Sequence, residues 1–206
     1  MPTCALALVA SGCLGSSFAY VSHRGGDGTM LYFKVPASWK VYDTEQVLSR
    51  QNGPLSDTEA REIAQGAWIE ALSAAPRPTL RQATSYGRRW PSAEVVVRPL
   101  SPTQTDTLSY RTMRAYLLGT DPLTATSGFD VLSYTPFARS DGVRGVKLVV
   151  DLTGTTPVRT FGEVVETDRM GNWIFAIGIS CQVSCWHMDS QTIGQVLSSW
   201  TVTQSP

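Results

Sequence analysis

Between Val131 and Ser180 the chain runs through four β-prone segments, "VLSYTPFA", "VRGVKLVVDLTG", "VRTFGEVVETD" and "NWIFAIGIS". Only Ser140-Asp141-Gly142, Gly154-Thr155-Thr156 and Asp168-Arg169-Met170-Gly171 separate them. Parallel strands need a crossover of about a dozen residues or more, whereas connections this short join antiparallel neighbours. The spacing therefore predicts a four-stranded antiparallel meander. In its last strand Trp173, Phe175, Ile177 and Ile179 alternate onto one face, with Ala176 and Gly178 on the other. The first face carries bulk for a core. The second offers small residues against which a helix could pack closely.

Other elements flank this meander. "MLYFKVPASW" reads as a strand closed by Pro36, and "EVVVRPL" as a strand whose Pro99 marks an edge or a terminal turn. Ser56 and Glu59 form an S-x-x-E capping box, and Ile63, Ala64, Ala67, Trp68, Ala71 and Leu72 recur at helical spacing. That pattern predicts a helix ended by Pro76 and Pro78. A second helix is predicted over 109–118, capped by Ser109 and stopped by Gly119. Ile193, Val196, Leu197 and Trp200 stripe a C-terminal helix predicted to begin near Asp189, whose carboxylate would cap it. An antiparallel sheet with helices packed on its faces buries these stripes economically. The expected fold is α+β, an α-β-α sandwich around a central antiparallel sheet. A chain of 206 residues can build one such core without metal or several disulfides.

Location follows from the first residues and from charge. No Lys, Arg, Asp or Glu precedes Arg24. The apolar stretch Cys4 to Ala10 is short of the ~20 residues that span a bilayer, but it suits the h-region of a signal peptide. Ala10-Ser11-Gly12-Cys13 resembles a bacterial lipobox, although Ala10 stands where Leu is commonest. In that family the cysteine is lipidated and becomes the first residue. Residues 1–12 are thus expected to be a signal peptide, 13–29 a lipidated Cys13 with a Gly- and Ser-rich tether, and 30–206 a single domain. His23 would lie in the tether. The competing reading is a buried N-terminal strand with a free Cys13. Charged residues make up 17% of the chain, below the usual level of about a quarter, and Ser, Thr, Gly and Gln replace them. Lys+Arg and Asp+Glu number 17 each and are scattered. A nucleic-acid partner, which needs a clustered basic face, is not expected.

Three segments carry a family resemblance: "FKVPASWKVY", "VVETDRMGNWIFAIGISCQVSC" and "IGQVLSSWTV". Together they resemble the PsbP-like fold shared by the extrinsic photosystem II subunit, a Ran-binding nuclear-import factor and many bacterial lipoproteins. Within it, the V-P-x-x-W, D-x-x-G, C-x-x-x-C and S-W-T-V patterns are similar to the actinobacterial lipoproteins of the LpqN kind. The resemblance spans about Met30 to Val202 and implies the same sandwich, with no shared catalytic residues to carry over. Fold likeness does not transfer photosynthetic function.

Candidate chemistry is sparse. Outside the cytoplasm Cys181 and Cys185 are expected to form a structural disulfide at the corner between the last strand and the last helix. With His187 they offer zinc three ligands, but a closed site wants four and no second cluster supplies one. Their spacing also excludes a redox C-x-x-C. No G-x-S-x-G is present, and a histidine-dependent triad would rest on His187 alone. Glu163, Glu166 and Asp168 share a strand, with Glu163 facing away from the other two, and are expected on a solvated face. Of the tryptophans Trp39, Trp68, Trp90, Trp173, Trp186 and Trp200, most fall on core stripes, whereas Trp90 does not. Beside Arg88 and Arg89 it has the composition of an interface hot spot, or it is a chance placement in a loop.

The resulting expectation is a non-catalytic, monomeric lipoprotein of the cell envelope. It would use no cofactor or metal, sit on the extracytoplasmic face of the membrane through a lipid at Cys13, and bind a protein partner at Arg88, Arg89 and Trp90. The rival is an extracytoplasmic small-ligand carrier or hydrolase on the same sandwich. A deep polar pocket with convergent titratable groups would favour that rival.

Overall fold

The computed structural model describes residues 18–25, 28–49, 63, 66–85 and 89–203. The meander forms as its turns require. Strands β6 (Asp130–Ala138), β7 (Arg144–Leu152), β8 (Arg159–Thr167) and β9 (Trp173–Gln182) pair in sequence order, each antiparallel to the next. Three earlier strands, β3 (Lys40–Tyr42), β4 (Trp68–Ser73) and β5 (Ser92–Pro99), extend the sheet on the β9 side. The order is β3-β4-β5-β9-β8-β7-β6. Pro99 ends β5, which is an inner strand, while Pro136 sits in the edge strand β6, where the missing N–H is tolerated.

A second antiparallel sheet of order β1-β2-β10 joins both ends of the chain, from β1 (Phe18–Arg24), β2 (Met30–Pro36) and β10 (Thr201–Thr203). Five short or medium helices are described in full beside the sheets. They are α1 (Thr44–Ser49), α2 (Leu80–Ala83), α3 (Pro102–Asp106), α4 (Tyr110–Arg114) and α5 (Val183–Ser199). Among the described residues, no helix is long and apolar enough to cross a membrane.

The larger sheet is covered on both faces. On one, Phe175, Ile177 and Ile179 join Val95 and Val97, together with Phe33 and Val35 of the small sheet and Ile193 and Val196 of α5. On the other, Ile174, Ala176 and Val165 pack against Met113 of α4, and Leu148 and Phe161 pack with Leu117 and Leu118. Glycines permit the closest approaches. A Cβ on Gly178 would lie 2.8 Å from Leu117 Cδ1, and one on Gly162 would lie 2.6 Å from Trp186 Cη2 of α5. Two-sided covering makes the fold the expected α-β-α sandwich, with the small sheet sharing the α5 face.

Local expectations were corrected in three places. Trp68, Ala71 and Leu72 lie in β4 rather than in a helix, because β3 and β5 hydrogen-bond to that segment from both sides. An inner strand covered on both faces is apolar at adjacent positions, and this mimics a helical stripe. Gly66 takes a left-handed φ of 98° and donates to the Ile63 carbonyl at 2.9 Å, closing a turn just before β4. Ser56 and Glu59 lie outside the described residues. The C-terminal helix begins at Val183, with no side-chain cap, so Asp189 falls inside it. Finally, residues 18–24 of the expected tether form β1, paired along its whole length with β2. His23 there stacks on Trp68 at 4.6 Å between centroids, and its Nε2 lies 3.2 Å from the Gly66 carbonyl.

The second helix keeps its expected cap but is shorter. Ser109 and Thr112 form a reciprocal capping box over Tyr110–Arg114, and the chain continues in turns to Gly119, whose N–H donates to the Ala115 carbonyl at 2.7 Å.

Candidate partner surface

Trp90 is the tryptophan the core does not absorb. It is 43% exposed, while Trp39, Trp173 and Trp200 are buried and Trp68 and Trp186 pack against the main core. The Arg89 guanidinium lies 5.7 Å from its indole centroid, within cation–π range. Arg88 lies outside the described residues.

Trp90 borders a groove of about 540 Å³ that three parts of the chain build together. Phe18 and Pro36, which pair across β1 and β2, form one wall with Trp39. The turn carrying Trp39 is closed by its N–H donating to the Pro36 carbonyl at 2.9 Å. Ala74 N–H donates to the Pro91 carbonyl at 2.9 Å, which holds the Trp90 segment beside the end of β4. Asp189, Thr192 and Gln195, spaced three apart on α5, supply the polar wall. Asp189 is the titratable group among the described lining residues. Aromatic walls with hydroxyl and amide groups suit recognition by contact and hydrogen bonding.

The acids of β8 are buried, which corrects the expected solvated face. Glu163 is 1% exposed, and neither of its oxygens has a hydrogen-bond partner among the described residues. It points away from Glu166, as the strand alternation requires. Burial holds its carboxyl well above the usual carboxylate range. Glu166, also buried, faces Arg139 Nη1 at 3.6 Å. Burial pushes it up to about 7 against the pull of Arg139 and Lys147. Asp168 serves its turn, accepting from Trp173 N–H at 2.7 Å and Met170 N–H at 3.3 Å. Glu163 and Glu166 therefore cannot act on one substrate as a pair.

Cys181 and Cys185 are joined by a disulfide, with Cα atoms 5.9 Å apart, so neither thiolate is free for a metal. The bridge closes the corner where β9 passes directly into α5. Replacing Cys185 with Ala is expected to cost about 2 kcal/mol or less, because so small a loop restricts the unfolded chain only modestly. Peptide mass analysis of the folded protein alkylated without reductant checks the bridge, and alkylation at Cys181 and Cys185 would refute it. His187 is exposed on α5.

One polar cluster had no signature in the sequence. Arg114 Nε and Nη2 donate to Asp121 Oδ1 and Oδ2, both at 2.8 Å, and Nη1 donates to the Tyr134 hydroxyl at 2.9 Å. All three side chains converge under the turns that follow α4. Hydrogen bonding from Arg114 holds the Asp121 carboxyl below its usual range, and that bond in turn raises Arg114. The groove residues Phe18, Trp39 and Gln195 were likewise not anticipated, since their proximity depends on how β1, β2 and α5 pack.

These features define a class: an α+β domain with a seven-stranded antiparallel sheet, a covering three-stranded sheet, and a side groove. No protein-family model matches the chain, and no curated protein does. Solved structures are similar to it. LpqN of Mycobacterium tuberculosis, described as involved in cell envelope biogenesis, shares 12% identity at a TM-score of 0.50, over 91% of this chain and 92% of its own. Cyanobacterial PsbP (CyanoP) from Synechocystis sp. PCC 6803 gives 15% identity and 0.49, over 95% and 99%. The Ran-binding protein Mog1p of Saccharomyces cerevisiae gives 12% and 0.46, over 89% and 94%. At such identities the likeness to LpqN concerns the fold.

Proposed function

We propose that this domain is a cell-envelope binding module, anchored by lipid at Cys13 outside the cytoplasm, that engages a protein partner at the groove beside Arg89 and Trp90. The groove carries the reading. An exposed indole with a guanidinium beside it is the pairing that dominates binding energy at protein interfaces. Burying the exposed part of Trp90 on a partner would release apolar surface from water without reorganising the core. The disulfide suits an oxidising compartment, and LpqN, with which the chain shares its fold, is described as acting in envelope biogenesis.

Crosslinking and pull-down from the native membrane test the surface. Trp90→Ala is expected to weaken partner recovery about thirtyfold, the ~2 kcal/mol of a hot-spot residue. His187→Ala should leave recovery intact. The opposite pattern, or loss of substrate turnover in His187→Ala, would replace this reading with an enzyme. The anchor is tested separately, because Cys13 lies outside the described residues. Cys13→Ser is expected to release the protein from the membrane fraction, and an unchanged N-terminal mass with continued membrane association would refute lipidation.

A further inference from the structure

We infer that the outer face of the β1-β2-β10 sheet rests on an anionic phospholipid surface, a proposal that takes its orientation from the lipid-anchor reading above. Strand register fixes this face. Tyr20 pairs with Lys34, Ser22 with Tyr32 and Arg24 with Met30, while β10 adds Thr201 and Thr203 beside Tyr32 and Met30; the Phe18–Pro36 pair at the end of the face belongs to the groove wall. Alternate residues Leu31, Phe33, Val35 and Val202 turn inward to the core. The outward set is therefore settled by the sheet.

Its chemistry is one-sided. Tyr20 is 73% exposed and Tyr32 40% exposed, neither being needed by the core. Lys34 Nζ sits 5.7 Å from the Tyr20 ring centroid, and Arg24 Nε donates to Met30 Sδ at 3.3 Å. Both cations thus lie along apolar neighbours with their charge outward. The three strands contain no Asp or Glu, in a chain whose acids and bases are otherwise balanced. Tyrosine favours the membrane–water interface, and Lys and Arg are drawn to anionic headgroups. A second copy of the chain fits poorly, since two such faces would oppose Arg24 and Lys34 with no carboxylate between them.

Distance selects a membrane. Four residues separate Cys13 from Phe18, so even a fully extended connection of about 3.5 Å per residue holds the start of β1 within about 18 Å of the lipid. Phe18 also lines the groove, so docking this face sets the groove mouth beside the membrane plane. A partner engaged there is membrane-proximal.

The full chain carrying Cys13→Ser, and hence no lipid, is mixed with vesicles of phosphatidylglycerol or of phosphatidylcholine and sedimented. Stronger binding to phosphatidylglycerol is expected, weakening as salt rises. Arg24→Glu with Lys34→Glu should lower that affinity at least about twenty-five-fold, about fivefold for each cation lost from the surface. Tyr20→Ser with Tyr32→Ser should also weaken it. Arg81→Glu on α2, against the opposite face of the large sheet, should not. Unchanged melting of these exposed-site variants verifies folding. Equal binding to both lipids, or affinity insensitive to Arg24→Glu with Lys34→Glu, overturns the proposal. So does a concentration-dependent dimer lost in Tyr20→Ser with Tyr32→Ser while vesicle affinity stays the same. No arm uses a lipidated Cys13, so the face and the anchor stand or fall independently.

Discussion

Arg114→Ala is expected to destabilise the domain by about 3–5 kcal/mol, the cost of leaving one partner of a buried ion pair uncompensated. The side chains of Arg114 and Asp121 are 10% and 3% exposed, and their contact is bidentate. Without the guanidinium, Asp121 would retain the Leu123 N–H at 3.2 Å, the Thr124 hydroxyl at 3.4 Å and the exposed Arg111 Nε at 3.9 Å, weaker contacts than the bidentate pair. Tyr134 would lose its donor as well. Two controls separate the pair from simple packing. Adding Asp121→Ala to Arg114→Ala should cost less than the sum of the single changes, because the stranded charge is then gone. Replacing the pair by Met and Leu should approach neutrality. Urea unfolding measures each effect, and a single-variant loss below about 1 kcal/mol would show that the pair contributes no more than an exposed one.

Glu163→Met is expected to stabilise the domain at pH 8 by about 1–3 kcal/mol, the penalty of a buried polar group that finds no partner. The effect depends on pH in a defined direction. An acid whose folded pKa is raised keeps its proton longer in the folded state. Stability is then greatest below the unfolded pKa and falls as pH climbs to the folded value. Glu166, raised from 4.5 to about 7, contributes a loss of about 3 kcal/mol across that interval. Glu70, lifted to about 7 by burial and then by Asp43, acts in the same direction.

Asp121 acts oppositely. Its carboxyl is held low, so its contribution is present above the unfolded value and is lost as pH falls through the folded one. The wild-type domain should therefore melt highest near pH 5 and less stably at pH 8, with Glu163→Met flattening the alkaline side. Equal wild-type melting temperatures at pH 5 and pH 8 would refute the assignment.

Much of the fold was legible, and the reason is local. The meander could be read because turn residues recur at short intervals, and alternation placed Phe175, Ile177 and Ile179 on one face before any neighbour was known. Ser109 announced a helix start because its cap reaches only to Thr112. The site was legible only in part. Trp90 stood out as an aromatic off every stripe, yet nothing near it in sequence indicated Phe18, Trp39 or Gln195.

What the sequence determined by itself was the set of features whose physical cause lies within a few residues: strand alternation, tight turns, a cap, and the short Cys181–Cys185 loop. Only the tertiary structure decided whether 68–73 was helix or strand, since an apolar run covered on both faces loses its period. It also decided that Glu163 and Glu166 are buried, because a second layer, invisible along the strand, removes them from water. By the same physics β1 became part of a sheet: backbone pairing with β2 satisfied the hydrogen bonds along one edge of a segment that composition alone had read as a tether.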